Sequence, residues 1–547
     1  MKETFRQTMA WLHTWVGLVA GWVLFFVFVT GTAGYFQEEI TRWMQPERPL
    51  EAAPAPYGSA ALTDLAMRRL EEVAPAAASW RITLPHQEAS GRGWEAFSIR
   101  WEDMPRPGQD SGARTTERLD PATGAVLPPE AGPRDTAGGF GLYRMHYALH
   151  YLPYPLAIRI VGICAMLMLL AIVSGVITHK KIFRDFFTFR PGKGQRSWLD
   201  AHNAVSVMAL PFFLMITYTG LVFFLFQYMP AGRDVLYGTD ERSVDAYHDA
   251  LYGKQEPAAI GRPAAPVAPL LKQAEAAWGK GHLASIVVEH PKGGEPGIVL
   301  SRARLGLNYY NPPRLHFHAE TGARLPDEPR AGGAPVAAAQ VMYGLHEGRF
   351  VGIWGRWVYF FSGLLGCGMT GTGLVLWTVK RRRYHLSEGR EADEHPGLRL
   401  VEVLNAATIA GLPLAVAAFF WANRLLPVEM ADRAAWEFHS LFAVWLGTVF
   451  YALGRPLRRA WIELLWATSA AFALIPLLNA LTTDRHLGVT VAQGDWVLAG
   501  FDLTMLGLGA AFALTAAKVT RRLKPLVPAT EEPAVAALEP ALRESRA

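Results

Sequence analysis

The residues in this chain best suited to chemistry are histidines at the mouths of long apolar runs. His13 opens the run HTWVGLVAGWVLFFVFVTGTAGYF, and Thr30-Gly31 follows it by 17 and 18 residues. His202 stands at the start of a second run, and Thr219-Gly220 follows it at the same offsets. Another histidine phrase is also doubled. Tyr147-Ala-Leu-His150 and Tyr343-Gly-Leu-His346 each precede an apolar run, with Ser174-Gly175 and Thr370-Gly371 lying 24 and 25 residues beyond their histidines. Neutral imidazole is a good ligand for iron and other transition metals. Taken singly, each histidine reads as an interfacial side chain. Four at duplicated positions read as ligand pairs, His13 with His202 and His150 with His346, because ionisable groups in membranes are mostly functional.

Two further histidines compete for these roles. His146 lies one helical turn before His150 on the same face and is an alternative ligand. The non-histidine at its counterpart, Met342, favours His150. His179, at the end of another apolar run, is an alternative to His13 or His202, or a loop residue beside them. The Thr-Gly and Ser-Gly pairs read first as small residues that let helices approach closely.

The elements that must position these side chains are membrane helices. Of the 547 residues, 51% are hydrophobic and only 18% charged, and the apolar ones are gathered into blocks, as in a polytopic α-helical membrane protein. About eight spans are expected, near residues 9–36, 157–178, 202–227, 352–379, 402–422, 436–454, 461–481 and 495–517. Lys180, Lys181, Arg184, Arg190, Lys193 and Arg196 crowd the loop after the second span, and Lys380 to Arg383 follow the fourth. The positive-inside rule makes these loops and both termini cytoplasmic, and the first span a retained signal anchor. The pI of about 9.1 then reflects membrane orientation and not nucleic-acid binding.

The long polar segments, 37–156 and 228–350, are exported in this reading. Each carries a helical stretch (Leu62–Val73; Pro269–Gly279), strand-like phrases (WRITLP and WEAFSIRW; SIVVEH and GIVLSR) and a Thr-Gly turn at Gly124 or Gly322. Each is expected to be a small α+β unit. With the histidine phrases, this makes residues 9–379 a tandem repeat. The expected divisions are a first helix (1–36), the first exported segment (37–156), a helix pair with its basic loop (157–227), the second exported segment (228–350), a fourth helix (351–385), four additional membrane helices (400–520) and a disordered cytoplasmic tail (521–547). Stretches around Glu51–Gly58, Gln255–Pro269 and Glu328–Val336 read as linkers. Cys164 and Cys367 lie inside spans and build neither a disulfide framework nor a thiolate site. No Gly-x-Gly-x-x-Gly follows a strand-like phrase, and no phosphate-binding loop is present.

The run from His179 to Asn203, HKKIFRDFFTFRPGKGQRSWLDAHN, together with His13 and Thr30-Gly31, resembles the PepSY-associated transmembrane helix family. The Asp-Pro-Ala-Thr-Gly element at residues 120–124 is similar to a PepSY strand-turn-strand. The resemblance implies a four-helix core with exported PepSY-like segments, two b-type haems and reduction of ferric siderophores at the bacterial inner membrane. An electron-carrying haem iron takes two axial ligands, which histidines on two facing helices supply. Lacking a Cys-x-x-Cys-His motif, the chain would hold haem without thioether links. Arg159, Arg349 and Arg356 suit haem propionates as charge-assisted partners, or else snorkel to the interface.

The reading is therefore a dihaem b-type cytochrome. An unidentified cytoplasmic reductase or quinol is its donor, a ferric siderophore or another periplasmic acceptor takes the electrons, and membrane lipid surrounds it. Its rivals are a PepSY-type binding regulator without redox activity and a metal or siderophore transporter. A transporter would place polar groups near mid-span, where Asp502 is the main example. His316 and His318 share a strand face and read as solvated, while His439 and Asp502 read as helix packing, with a quinol site as the weaker alternative.

Overall fold

The computed structural model describes residues 4–48, 58–87, 94–106, 112–127, 133–179, 181–240, 262–289, 296–304, 312–326, 333–388 and 395–523, with 243 and 246. The expected linkers fall wholly or partly outside the described residues, as does the tail beyond 523.

Among the described residues six helices are long and apolar enough to cross a membrane. They are α1 (Phe5–Gly34), α5 (Tyr154–Thr178), α10 (Ile353–Ser387), α11 (Pro396–Leu425), α13 (Leu457–Thr482) and α14 (Trp496–Leu523). A seventh crossing would be the pair α6 (Gln195–Met208) and α7 (Leu210–Phe223), which bend by 66° against each other. Pro211, near the start of α7, has no N–H to give the carbonyl of Val207, so the helix cannot run straight through. The expected eighth span, 436–454, falls on α12 (Arg433–Gly454), which is not among the apolar six. Arg433, Glu437 and His439 on its first two turns lower its hydropathy.

The histidine-bearing helices pack as two similar sets. α1 packs against α5 and the short α4 (Gly138–Ala148); α6 and α7 pack against α10 and the short α9 (Gly333–Glu347). α1 and α10 also meet, joining the sets. Gly363 and Gly366 of α10 make this possible, because a Cβ there would fall 2.1 Å from Thr32 and 2.4 Å from Phe28. The C-terminal helices α11 to α14 form a separate apolar cluster around Phe419, Phe420 and Leu441, which reaches α1 through Phe25 and Phe26.

The two polar segments contribute to one sheet. The first supplies β1 (Ser79–Thr83), β2 (Ser98–Glu102) and β3 (Arg114–Arg118); the second supplies β4 (Leu283–Glu289), β5 (Gly297–Arg302) and β6 (Arg314–His318). The order is β3-β2-β1-β4-β5-β6, antiparallel throughout. β1 joins β4 with Ile82 opposite Ile286, so the segments meet edge to edge. Period-two burial decides which face carries the core. Trp80, Ile82, Ile99, Ile286, Ile298, Leu300 and Phe317 are buried beneath α3 (Ser59–Val73) and α8 (Val267–Trp278). Gly124 and Gly322 take positive φ of 73° and 68° in the turns after β3 and β6, where a side chain would be strained.

Candidate functional site

The structure brings four histidines together as two pairs. His13 on α1 faces His202 on α6, with ring centroids 6.2 Å apart. His146 on α4 faces His346 on α9, with centroids 6.0 Å apart. The expected partner of His346 was His150, and here the structure corrects the sequence reading. Helix α4 ends at Ala148, and Leu149 and Tyr151 adopt positive φ. The chain therefore leaves the helix before His150, which packs instead against Tyr151, Phe438 and Phe442.

One local geometry recurs at all four rings. Nδ1 of His13 donates to the Ala171 carbonyl at 2.8 Å, Nδ1 of His202 to Met369 at 3.0 Å and Nδ1 of His146 to Val27 at 2.7 Å. At His346 the partner of Nδ1 is Thr219 Oγ1 at 3.1 Å, and the Ile216 carbonyl one helical turn before Gly220 also bonds the ring. Four residues after each carbonyl, on the same helix, stands a glycine: Gly175, Gly373, Gly31 and Gly220. An added Cβ would lie 3.0 Å from His13, 3.2 Å from His202, 2.4 Å from His146 and 2.8 Å from His346. In an α-helix the residue four on is the one whose N–H already bonds that carbonyl. Removing its side chain clears the path by which a ring reaches the carbonyl from outside.

The consequence is chemical. A carbonyl only accepts, so Nδ1 carries the proton and Nε2 is left with its lone pair. Among the described residues no hydrogen bond engages Nε2 of any of the four. His146 and His346 lie outside the six apolar helices, and burial, foremost among the causes, holds both below the ordinary histidine pKa. They are neutral, as metal ligation requires. With a metal–imidazole bond of roughly 2 Å, two rings on opposite sides of one ion have centroids about 6 Å apart. Both pairs match that spacing.

Each pair lines its own cavity, of about 400 Å³ at His13 and His202 and about 280 Å³ at His146 and His346. Both pairs are tied to α1, at His13 and at Val27, fourteen residues and so about 21 Å apart along the axis. The residues present fit a flat, metal-centred macrocycle held by two imidazoles. The walls are apolar, a glycine lies beside each ligand, and a backbone carbonyl orients each ring from outside.

The remaining expected residues divide. His179 lines the first cavity and pairs with Asn203 at 2.9 Å, so it stands beside His202 rather than replacing it. Arg349, ion-paired with Glu347, lines the second cavity. Arg356 does not; it is buried in an ion pair with Glu39 and borders a different, larger cleft between α1, α10 and α14. Arg159 is exposed and lines neither histidine cavity. His316 and His318 lie on the sheet face opposite the core, and Nδ1 of His318 accepts backbone N–H bonds from Glu320 and Thr321. His439 bonds Tyr151, and Asp502 accepts from Trp43 at 2.9 Å and Asn479 at 3.1 Å, so both have the partners that helix packing supplies.

Of the four glycines, Gly31, Gly175 and Gly220 belong to the duplicated Thr-Gly and Ser-Gly pairs, while Gly373 lies two residues beyond the expected Gly371; one signal for His146 was there as well. Tyr143-x-x-His146 matches Tyr343-x-x-His346 as well as Tyr147-x-x-His150 does.

The chain is similar to Uncharacterized protein PA4219 of Pseudomonas aeruginosa, 25% identical over 385 residues, covering 64% of this chain and 88% of that protein. Residues 10–380, which hold both histidine pairs and the six-stranded sheet, match the PepSY-associated TM region. This multi-pass membrane chain belongs to the PepSY-associated TM region family.

Proposed function

We propose that the protein is a dihaem b-type cytochrome of the bacterial inner membrane. In this reading it takes electrons from a cytoplasmic reductase or from quinol and reduces ferric siderophore iron at the periplasmic face. The observation that carries the reading is the fourfold recurrence of one ligand geometry: Nδ1 on a carbonyl, a glycine one turn on, and Nε2 free toward a facing ring. It also supports reading 9–379 as a tandem repeat, since α1, α5 and α4 correspond to α6–α7, α10 and α9.

Bound at each pair, haem b would supply one-electron transfer. His13 and His202 would hold one group, His146 and His346 the other. The chain's own contribution is to keep the imidazoles neutral, fix their planes through Nδ1, and keep water out with Leu24, Phe28 and Phe213. Arg349, alone of the three expected arginines, lines a histidine cavity and is the candidate propionate partner.

Charge supports one orientation. Basic loops cluster at the His13 and His202 end, and by the positive-inside rule that pair would lie toward the cytoplasm and the sheet, as PepSY-like domains, in the periplasm. Counting α12 as a crossing makes eight and puts both termini in the cytoplasm. A non-redox regulator gives no reason for four oriented Nε2 atoms that no described donor engages, and a transporter would place its polar groups near mid-span.

The test is a dithionite-reduced minus oxidised spectrum of detergent-purified protein, with the haem-to-protein ratio from the same sample. About two low-spin b haems per chain are expected. They should fall to about one in His13→Ala or His202→Ala, with haem reoxidised on adding a ferric siderophore. Folded protein that binds no haem would overturn the reading.

A further inference from the structure

The sheet has one face buried under α3 and α8, and its other face carries an unusual concentration of guanidinium groups. Arg100 on β2 stands directly opposite Arg81 on β1, and Arg314 on β6 is opposite Ser301 on β5. With Arg302 and Arg304 at the end of β5, these arginines line a cavity of about 440 Å³. The register Thr83–Ser285–Ser301–Arg314 runs a line of hydroxyls across the sheet to Arg314, and all four line the cavity.

Among the described residues little acid offsets this charge. Glu102, on the same face of β2, is committed to Arg114 at 2.9 Å. Glu289 acts on Arg81 electrostatically from further along β4. Arg81 nevertheless has its pKa lowered, first by desolvation and then by the charges of Arg100, Arg314 and Arg304. Nε of Arg302 is buried with no hydrogen-bond partner among the described residues. Repelling cations and an unsatisfied buried donor are costly to keep, and a bound anion relieves both.

The dimensions restrict the ligand. Arg100 and Arg314 lie on strands four places apart, about 19 Å at the usual strand spacing. A single oxyanion engages only part of such a row. The cavity volume, in turn, suits a compact small molecule and not a polymer. Planar guanidinium forks match carboxylates two bonds at a time, and the hydroxyls add donors between them.

We propose that this arginine-lined face binds a compact polycarboxylate, of the class that chelates ferric iron through carboxylate oxygens. As the substrate class of the reductase this rests on the function proposed above; as a binding site it does not.

The experiment is a calorimetric titration of the full-length protein in detergent with citrate and with its gallium(III) complex, a redox-inert stand-in for the ferric one, and with inorganic phosphate for comparison. Haem content is read separately on each sample. Saturable binding of the gallium complex is expected, weakening as salt is raised. Arg81→Gln and Arg314→Gln, both at exposed positions, should each weaken it about tenfold or more, with the haem spectrum unchanged. Arg81→Lys should recover only part, because the fork is lost while the charge stays. Equal affinity in the wild type and the double glutamine variant, or phosphate binding as tightly as the gallium complex, would overturn the proposal. A haem-free protein that still binds the complex would refute the reductase and leave the site standing.

Discussion

Two buried polar systems lie side by side in this membrane protein, and they differ in what is left unsatisfied. In the C-terminal helices, Arg433 and Glu437 are fully buried and ion-paired at 2.7 Å. Both Glu437 oxygens are occupied, one by Thr136 and the Ala137 N–H, the other by Asn423 and Arg433. Asp502 is occupied by Trp43 and Asn479, and Arg42 forks onto Asp495 at 3.0 and 2.6 Å. The histidine pairs are the reverse. Each ring has one nitrogen fixed from behind and the other free toward a cavity. In the helical network the carboxylate oxygens of Glu437 and Asp502 are engaged, although Arg433 and Arg42 each keep a buried Nε for which the described residues supply no acceptor. In the histidine pairs the atom in reserve is instead a lone pair, the kind of atom a metal takes.

The comparison is broken most directly at the free atoms. His146→Ala or His346→Ala should remove one of two haems outright, measured as a fall in the haem-to-protein ratio from about two to about one. Retention of both haems in either variant would mean that the reserved nitrogens hold nothing. In the satisfied system the effect should appear as stability. Glu437→Ala leaves Arg433 buried and uncompensated, a loss of about 3–5 kcal/mol. Denaturation of the detergent-solubilised variant should show that loss, while the fraction that folds keeps its full haem ratio.

The pairing was half legible in the sequence. His13 and His202 could be matched because a single histidine opens each run, so the offsets to Thr30-Gly31 and Thr219-Gly220 had one solution. The other pair had two, since Tyr-x-x-His occurs twice in succession at Tyr143 and Tyr147. The choice turns on where α4 stops, and the stop is made by Leu149 and Tyr151 at positive φ, conformations that neither residue type signals. The sheet was legible as strands and turns through period-two apolar residues and two Thr-Gly turns. That β1 and β4 join the segments into one sheet was not, because edge pairing between distant segments leaves no local pattern. The expected span 436–454 coincides with α12, and the burial of Arg433 and Glu437 against Thr136 and Asn423 keeps that helix less apolar than the other six.

A subtler contrast lies among the glycines. The sequence offsets matched Gly175 with Gly371, yet the ring of His202 lies on Gly373, and a Cβ at Gly371 would make ordinary contact with Phe25 at 3.5 Å. Gly220→Val should displace His346 and broaden or shift the absorption band of its haem. Gly373→Val should do the same to the other band to a smaller degree, its Cβ clearance being 3.2 Å instead of 2.8 Å. Gly371→Ala should leave both bands unchanged. Equal perturbation by Gly371→Ala would show that these glycines serve helix approach in general and not the rings.

The smallest effect is expected at the residue the sequence favoured. His150 sits among Tyr151, Phe438 and Phe442, beyond the end of α4, and His146 already occupies the position opposite His346. His150→Ala removes its ring contacts with Phe438 and Phe442 of α12, a change on the order of 1 kcal/mol. The haem ratio, both absorption bands and the midpoint potentials should stay at wild-type values. Since His146 and His150 lie one turn apart in sequence, paired spectra of the two alanine variants isolate what the end of α4 does. If that helix continued unbroken through Leu149, His150 would share a face with His146 and the two substitutions would act alike; with the break, only His146 carries the site.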